Sequence, residues 1–375
     1  MSRLQTFTDY LHRRRRRARL ERADAPSGVL FVSCGGLGDT ILLSHVMARF
    51  LKVAGADEPV HMLLRKDGAK TAFLLPSEIT VQTVDFAKLR KDPIYRRETA
   101  DGLYQANYRL VVSLDYLRHP YLDEFLILAC EAAETIAMIA KPWRKYDAAL
   151  ARHQKKFSRL FNSGPAVYDK ILRWHRFADW LNAETTPTPV ALSDPETLPP
   201  PADLPRPYVM CQAFSAVKAK QCDPEVFERA LALLPDDWDI VFTGAPGEDT
   251  ANPEYSALLS KPGTRYDESP FDALVATLRG AKLAISVDTA FMHLAIAAGT
   301  PTLGLASAAY VGEIVPYAPE TTPANAHFVY HDMPCRSCLG DCRLPLESGR
   351  YPCIARLDGD TVETAVRQLL GTLED

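Results

Sequence analysis

The sequence predicts an α/β protein with two doubly wound parallel sheets, and three observations support this fold class. The chain has 375 residues, more than one hydrophobic core usually serves. Short apolar, strand-like runs alternate with helical segments in both halves, as they do where helices cover a parallel sheet. A proline-rich segment between the halves indicates a stiff, extended linker. We therefore predict an amino-terminal domain at 1–186, a linker at 187–207 and a carboxyl-terminal domain at 208–375.

The composition of the chain argues against several functional classes. Hydrophobic residues make up 47% and charged residues 24% of the chain, as in a soluble globular protein. The net charge of −4 argues against a dedicated nucleic-acid-binding protein, so we expect no nucleic acid partner. The longest apolar stretch, at 125–140, is interrupted by Glu131 and Glu134 and is too short to cross a bilayer. Because no signal peptide is visible, we expect a cytoplasmic protein.

The amino-terminal segment is strongly basic. Arginines occupy positions 13–17, and Arg19 and Arg22 follow on a segment, 7–23, that we predict to be helical. A block of this sign is attracted to anionic lipid and would place the protein peripherally at the inner membrane. A solvated basic arm explains the same residues equally well.

The first predicted strand runs into a glycine-rich turn and a helix. Apolar residues 28–33 precede Cys-Gly-Gly-Leu-Gly-Asp at 34–39, and helical spacing continues to residue 51. The glycines let another molecule approach the backbone, and Asp39 lies at the mouth of the turn as a functional carboxylate or an N-cap. The G-x-G-x-x-G spacing is absent, and Arg65 stands where a nicotinamide enzyme needs an acid.

The rest of the first half alternates in the same way. We predict strands at 60–64, 79–84 and 110–114, with helices at 69–75 and 122–140. From 141 to 176 the chain carries ten lysines and arginines against two aspartates, with aromatic residues between them. This basic patch indicates either contact with an anionic acceptor or a solvated pair of amphipathic helices.

The second half repeats the alternation and contains a strand-helix-strand unit at 281–306. Further strands are predicted at 208–212 and 240–243, and helices at 224–234, 271–279 and 360–373. Within the unit, Asp288 follows an apolar strand and is a good N-cap for the Ala-rich helix 290–298. Thr289 and His293 share one helix face near the sheet edge where phosphates bind. Alternatively, His293 is a core histidine with internal hydrogen bonds.

Four cysteines near the carboxyl terminus have metal-site spacing. Cys335, Cys338, Cys342 and Cys353 give C-x2-C-x3-C-x10-C in a loop rich in glycine, proline and arginine. Four thiolates can close a tetrahedral structural site, for which zinc is the first choice and iron the alternative. Free thiols or a redox-labile disulfide are the other interpretation. Because no base or open coordination position lies nearby, we expect no catalytic metal.

Four stretches together resemble glycosyltransferase family 9, the heptosyltransferases of lipopolysaccharide core synthesis. They are Leu-Gly-Asp at 37–39, Lys-Gln-Cys-Asp-Pro-Glu-Val-Phe at 220–227, Thr-Gly-Ala-Pro-Gly-Glu at 243–248 and Asp-Thr-Ala-Phe-Met-His at 288–293. The resemblance extends from Val29 to the carboxyl terminus. It implies a GT-B fold with two Rossmann-like domains facing a cleft, a cysteine-rich loop near the carboxyl terminus and a final helix that crosses back to the first domain.

By this resemblance the protein is an inverting, metal-independent transferase that moves heptose from ADP-heptose, or a related nucleotide-sugar, to a saccharide or glycolipid acceptor. Asp39 matches the proposed general base. The donor-binding residues implied are Lys220, with Lys218 as an alternative phosphate contact, and Gly244, Glu248, Asp288, Thr289 and His293. Gly38, Arg65 and Lys66 are our predicted acceptor-binding residues.

Two alternatives keep the same fold. Some relatives that glycosylate proteins resemble this chain in carrying a cysteine-bound iron, so the acceptor could be a protein hydroxyl. A relative that binds a nucleotide-sugar without turnover is the second alternative. The four-cysteine loop favours a protein acceptor, whereas the basic patch favours a phosphorylated glycolipid.

Overall fold

The computed structural model describes residues 16–22, 25–185 and 197–374. Most of the predicted helix at 7–23 and the linker residues 187–196 lie outside these ranges. The described residues form two compact units. The first holds the described residues within 16–36, 47–166 and 176–185, and the second holds those within 37–46, 167–175 and 197–374. The second unit thus includes two segments that precede the predicted linker, and the boundaries at 186 and 207 stay predictions.

The first unit is built on a six-stranded sheet. Its strands are β1 Val29–Ser33, β2 Val60–Arg65, β3 Ile79–Val84, β4 Leu110–Ser113, β5 Glu134–Met138 and β6 Arg159–Phe161. The helices in the amino-terminal half of the sequence are α1 Leu37–Phe50, α2 Phe86–Lys91, α3 Pro93–Gln105, α4 Asp123–Ala129, α5 Asp147–Gln154 and α6 Lys170–Leu181, with 3-10 helices at Leu51–Val53 and Gly68–Leu74. The first parts of α1 and α6 belong to the second unit. Strand β1 is apolar up to its last residue and wholly buried, as expected where helices cover both faces of a parallel sheet.

The second unit contains the other six-stranded sheet. Its strands are β7 Tyr208–Gln212, β8 Asp239–Thr243, β9 Thr264–Asp267, β10 Leu283–Val287, β11 Thr302–Ala306 and β12 Ala326–Tyr330. Its helices are α7 Pro224–Leu231, α8 Glu248–Ala251, α9 Ser256–Leu259, α10 Phe271–Gly280, α11 Ala290–Ala297, α12 Pro352–Ala355 and α13 Gly359–Glu374. The 3-10 helices are Lys218–Lys220, which we call the lysine turn, Ala308–Tyr310, which we call the tyrosine turn, Pro253–Tyr255 and Pro319–Thr321.

The two sheets share one topology. Their strand orders are β3-β2-β1-β4-β5-β6 and β12-β11-β10-β7-β8-β9, and the registered neighbours are parallel. The order of winding reverses between β1 and β4 in the first sheet and between β7 and β10 in the second. In doubly wound sheets, ligands bind at the carboxyl ends of the strands beside this reversal. The predicted fold class is confirmed.

The prediction of one helix over 122–140 is wrong. Helix α4 ends at Ala129, and Glu131 then adopts a left-handed backbone with φ of 45°. The chain continues as the buried strand β5, which pairs with β4 and β6. A short apolar run fits a buried strand as well as a helix, so the hydrophobic pattern did not separate the two.

The final helix, α13, packs against α7 and β12 of the second unit. Val362, Val366 and Leu369 on its apolar face are buried in that unit's core. Each such side chain contributes about 1.5–3 kcal/mol to stability. The predicted crossing of this helix to the first domain stays a prediction. None of the helices in the described part of the chain is long and apolar enough to span a membrane.

Two described arginines of the basic amino-terminal segment pack onto the first unit. Arg17 is buried and forms an ion pair with Glu131. The guanidinium carbons of Arg17 and Arg22 lie 4.3 and 4.4 Å from the ring centroid of Tyr104. These two residues are therefore bound to the protein and do not form a solvated arm.

Candidate active site

Asp39 lies in the first turn of α1 and forms an ion pair with Lys170 at the start of α6. Both side chains are one-quarter exposed. The backbone N–H of Lys170 donates to the carbonyl oxygen of Glu313 at 2.8 Å, which anchors the start of α6 within the second unit. A neighbouring ammonium ion favours the charged form of a carboxylate, and a general base must be charged before it accepts a proton.

His293 on α11 packs against the glycine that precedes Asp39. A Cβ atom added to Gly38 would lie 3.0 Å from Cδ2 of His293, so a larger residue would crowd the imidazole ring. Nδ1 of His293 is hydrogen-bonded to the hydroxyl of Tyr317 at 2.6 Å. This bond agrees with the predicted alternative, a core histidine with internal hydrogen bonds, for the Nδ1 atom.

Charged side chains surround the buried ring of His293. Burial lowers the pKa of His293 to about 4. Asp288 and Asp39 oppose this shift, while Lys220 and Lys170 add to it. His293 is therefore neutral near pH 7, and it lies in a cluster of two carboxylates and two ammonium groups.

Asp288 contacts a lysine and does not cap the helix that follows it. Nζ of Lys220 lies 3.2 Å from Oδ2 of Asp288 and donates to its carbonyl oxygen at 3.0 Å. The N-cap of α11 is Thr289, and its side chain makes no capping bond. The predicted N-cap role of Asp288 is wrong, because Thr289 occupies the N-cap position; the carboxylate of Asp288 lies beside the ammonium group of Lys220 instead.

The hydroxyl of Thr289, just before helix α11, has no hydrogen-bond partner in the described part of the chain. Its Oγ1 atom is also buried. Buried hydroxyls are normally hydrogen-bonded, so an unpaired one at a helix N-terminus indicates a missing acceptor. Phosphate oxygens are the acceptors that helix N-termini favour.

Lys218, the other end of the lysine turn, has different partners. Its ammonium group contacts the side chains of Asn252 and Glu254. Its side chain is 58% exposed, whereas that of Lys220 is 18% exposed. The geometry therefore brings Lys220, and not Lys218, to Asp288.

Gly244 and Glu248 follow β8 at the same sheet edge. Oε2 of Glu248 accepts a hydrogen bond from the N–H of Ala245 at 2.8 Å. A Cβ atom on Gly244 would lie 2.4 Å from the hydroxyl of Tyr266 and 2.7 Å from Oε2 of Glu248. Only glycine leaves room for this carboxylate and phenol.

Arg65 and Lys66 lie in the first unit, at the carboxyl end of β2. Arg65 is 3.6 Å from a carboxylate oxygen of Asp67, and the N–H of Lys66 donates to the carbonyl oxygen of Val84. Gly38, the third predicted acceptor residue, lies in the second unit beside His293. The acceptor role of all three stays a prediction.

The four cysteines of residues 335–353, which we call the cysteine loop, line one pocket with Tyr351 and Ala308. Burial raises the pKa of Cys353, and the thiols of Cys338 and Cys342 contribute. The donor set is that of a thiolate metal site. However, within the described residues no three cysteine, histidine or acidic side chains are arranged to hold an ion.

Sequence reasoning missed Lys170 and Tyr317. Lys170 belongs to the predicted basic patch, but nothing in the local pattern distinguishes it from the nine other basic residues there. Tyr317 follows Pro316 in a segment without helical or strand periodicity. Only their positions in space, against Asp39 and His293, reveal them.

A family model of glycosyltransferase family 9 (heptosyltransferase) matches residues 175–339. This range includes the lysine turn, Glu248 and the 288–293 stretch. The resemblance to this family is confirmed. The protein is a glycosyltransferase. No curated protein sequence matches the chain.

Solved structures show the fold of this glycosyltransferase. Escherichia coli ADP-heptose lps heptosyltransferase II is 14% identical, with a TM-score of 0.63 over 93% of this chain and 100% of that chain. E. coli heptosyltransferase WaaC with ADP-2-deoxy-2-fluoro heptose is 15% identical, with a TM-score of 0.64 over 91% and 99% of the two chains. The iron-containing dodecameric glycosyltransferase TibC of enterotoxigenic E. coli is 16% identical, with a TM-score of 0.52 over 94% and 78%. The predicted GT-B fold is confirmed.

Proposed function

We propose that this glycosyltransferase transfers heptose from ADP-heptose, with inversion, to a hydroxyl of a lipopolysaccharide-core or similar saccharide. One observation carries the proposal: Asp39, held by Lys170, lies in the same cluster as the Lys220–Asp288 pair. A base and a cation for a leaving group thus belong to one site. The binding of an ADP-heptose analogue to WaaC, a protein of the same fold, supports the donor.

In the proposed reaction, Asp39 accepts the proton of the acceptor hydroxyl as its oxygen attacks the anomeric carbon. The bond between that carbon and the phosphate oxygen breaks, and ADP leaves with the electron pair. Lys220 and the N-terminus of α11, including the unpaired hydroxyl of Thr289, stabilise the developing charge. The neutral ring of His293 packs beside the base and does not compete for its proton.

The remaining predicted donor residues would contact the nucleoside. Glu248 follows β8, next to β7 in the sheet, and suits ribose hydroxyls because a carboxylate accepts two hydrogen bonds. Gly244 keeps space for that carboxylate. Arg65, Lys66 and the basic patch at 141–176 suit an acceptor that carries phosphate or carboxylate groups.

We also propose that the cysteine loop takes up one structural zinc or iron ion through Cys335, Cys338, Cys342 and Cys353. Their common pocket and the chemistry of four thiols support this role. A bound ion would order a loop that has little core of its own. Metal analysis of protein purified without affinity tags should find about one ion per chain. The same analysis of a Cys338→Ser/Cys342→Ser double variant should find no bound ion.

Membrane association is a further part of the proposal. The basic segment at 13–22, apart from Arg17 and Arg22 that pack onto the first unit, would bring a cytoplasmic enzyme to anionic lipid at the inner membrane. Sedimentation with vesicles that contain anionic phospholipid, compared with neutral vesicles, tests it. Equal recovery from both would exclude an electrostatic contact.

The experiment that tests the function follows ADP release and product mass with ADP-heptose and lipopolysaccharide-core acceptors. A new acceptor mass increased by one heptose would support the proposal. Thermal stabilisation by ADP but not by UDP or GDP would support the donor assignment, since a ligand at about 100 times its Kd adds roughly 2.7 kcal/mol. Stabilisation without turnover on any acceptor would favour a non-catalytic relative.

A protein acceptor is the second candidate, and the four-cysteine pocket favours it. The fold similarity to the iron-containing TibC is consistent with an ion in that pocket. Incubation with ADP-heptose and a panel of unfolded serine- and threonine-rich polypeptides distinguishes the two acceptor classes. Heptosylation of a polypeptide, with no heptosylation of the saccharide acceptors, would contradict the first proposal and support a protein acceptor.

A further inference from the structure

The cysteine loop is hydrogen-bonded to the tyrosine turn. The N–H of Ser337 donates to the carbonyl oxygen of Ala308 at 2.9 Å, and the N–H of Leu339 donates to that of Ala309 at 2.8 Å. Both donors have left-handed backbones, with φ of 65° at Ser337 and 56° at Leu339. Non-glycine residues adopt this conformation where surrounding contacts enforce it. The loop backbone is thus shaped to make these two bonds.

The other end of the cysteine loop is bonded to the lysine turn. The N–H of Tyr351 donates to the carbonyl oxygen of Ala219, between the two lysines, at 3.0 Å. Next to it, Arg350 lies 3.2 Å from a carboxylate oxygen of Asp223, the N-cap of α7. One loop therefore connects the turn after β7 with the turn after β11.

The side chain of Tyr310 links the loop to the lysine that pairs with Asp288. Nζ of Lys220 lies 5.2 Å from the ring centroid of Tyr310, within the range of a cation–π contact. On the loop side, a Cβ atom added to Gly340 would lie 2.9 Å from the hydroxyl oxygen of Tyr310. The loop backbone at Gly340 thus lies directly against the ring that covers Lys220.

We propose that the cysteine loop is a positioning element of the donor site, which holds Tyr310 over Lys220 and so sets the affinity for the donor diphosphate. The inference rests on the proposed role of Lys220 in diphosphate binding. Tyr310 is a positioning residue in this scheme, because it acts through Lys220. The loop has this role through its backbone contacts, whichever ion its thiols hold.

Two glycines of the same loop provide a matched test. Gly340 and Gly349 have φ of 84° and 79°, so alanine is strained at both positions. Only at position 340 would the new Cβ meet Tyr310, since no atom lies within 4 Å of a Cβ at position 349. We expect Gly340→Ala to raise the Kd for ADP about five- to tenfold and Gly349→Ala to change it by less than about twofold, with calorimetry as the measurement.

Variants of the ring test the same link without strain in the loop. Tyr310→Leu removes the cation–π contact and should weaken ADP binding as much as Gly340→Ala does. Tyr310→Phe keeps the ring and should bind ADP like the wild type. Phenylalanine also removes the oxygen that the new Cβ would meet, so the Gly340→Ala/Tyr310→Phe double variant should recover most of the lost affinity.

A second readout does not depend on ADP. The labelling rate of Lys220 by an amine-reactive acetylating reagent, followed by mass spectrometry, should rise severalfold in Gly340→Ala but not in Gly349→Ala. Lys218 is the internal control, because its ammonium group contacts Glu254 and not the ring. Equal Lys220 labelling in the two glycine variants would overturn the inference. If the wild type does not bind ADP but Lys220 is still labelled unequally in the two glycine variants, the proposed function is overturned and the contact between the loop and Lys220 is kept.

Discussion

Two aspartates occupy equivalent places in the two sheets and have different partners. Asp115 follows β4 and Asp288 follows β10, and each strand is beside the reversal of winding in its sheet. Asp115 accepts hydrogen bonds from the N–H of Cys34 at 2.5 Å and from the hydroxyl of Ser33 at 3.3 Å. Asp288 instead pairs with the ammonium group of Lys220.

The comparison shows that the position of a residue in the fold can bring it to the ligand-binding edge of the sheet without determining its role there. The bonds from Ser33 and Cys34 to Asp115 join the ends of two neighbouring strands, which is a structural contact. The partner of Asp288 is a cation beside an unpaired hydroxyl, which suits a ligand phosphate. Variants of these groups should therefore separate effects on stability from effects on binding and turnover.

The largest expected effect is the loss of turnover in Asp39→Asn. An amide cannot accept the proton of the acceptor, so kcat should fall by about 10²- to 10⁴-fold. The Kd for ADP, measured by calorimetry, should stay within about threefold of the wild type, because the nucleotide contacts are unchanged. Asp115→Asn is the matched control and should retain kcat. Turnover that survives in Asp39→Asn would assign the base to another residue.

Buried histidines should make the second unit sensitive to acid. Burial and the charge of His293 lower the pKa of His45 to about 4, against an ordinary value near 6.5. As pH falls from 6.5 to 4, the unfolded chain takes up a proton that the folded chain does not. The stability that each neutral imidazole contributes is therefore fully present above pH 6.5. The free energy of unfolding then falls by up to about 3 kcal/mol per imidazole toward pH 4.

The matched variant for this pH dependence is His45→Gln, which lacks the titrating ring. Urea unfolding at pH 7, 5.5 and 4 should show a smaller loss of stability in His45→Gln than in the wild type. Carboxylates titrate in both proteins, so the difference isolates the imidazole. Parallel curves would mean that His45 takes up its proton over the same pH range in the folded protein as in the unfolded chain.

The two lysines of the lysine turn should differ in donor binding. Lys220→Met should raise the Kd for ADP about 10- to 100-fold, the cost of one charge-assisted hydrogen bond. Lys218→Met should raise it by less than about threefold, since its exposed ammonium group pairs with Glu254. Calorimetric titration of both variants checks this, and the reverse order would assign the phosphate to Lys218.

The two aspartates that began the comparison should give opposite phenotypes. Asp115→Asn should lower the free energy of unfolding by about 1–3 kcal/mol and leave the Kd for ADP unchanged, because a charged acceptor of a backbone N–H is lost. Asp288→Asn should raise the Kd for ADP about tenfold, because Lys220 loses the charged partner that orients it. Urea unfolding and calorimetry on both proteins check the pair. Equal stability losses without a binding difference would make both contacts structural.

Local patterns predicted most of the fold and part of the site. Strands β1, β2 and β10 and helices α11 and α13 lie where hydrophobic periodicity placed them, within a few residues. The pattern failed at 122–140, where a left-handed residue divides the segment into a helix and a strand. It also assigned Asp288 to a helix cap, because sequence shows the helix start but not the lysine 68 positions away that pairs with it.

The sequence by itself determined the alternation of strands and helices and placed Asp39, Lys220, Glu248 and Asp288 just beyond the ends of strands. These features depend on neighbours a few positions apart, so local chemistry encodes them. The tertiary structure decided that Lys170, separated from Asp39 by 131 positions, pairs with it, and that Tyr310 covers Lys220. Such pairs depend on distance through space, which no local pattern records.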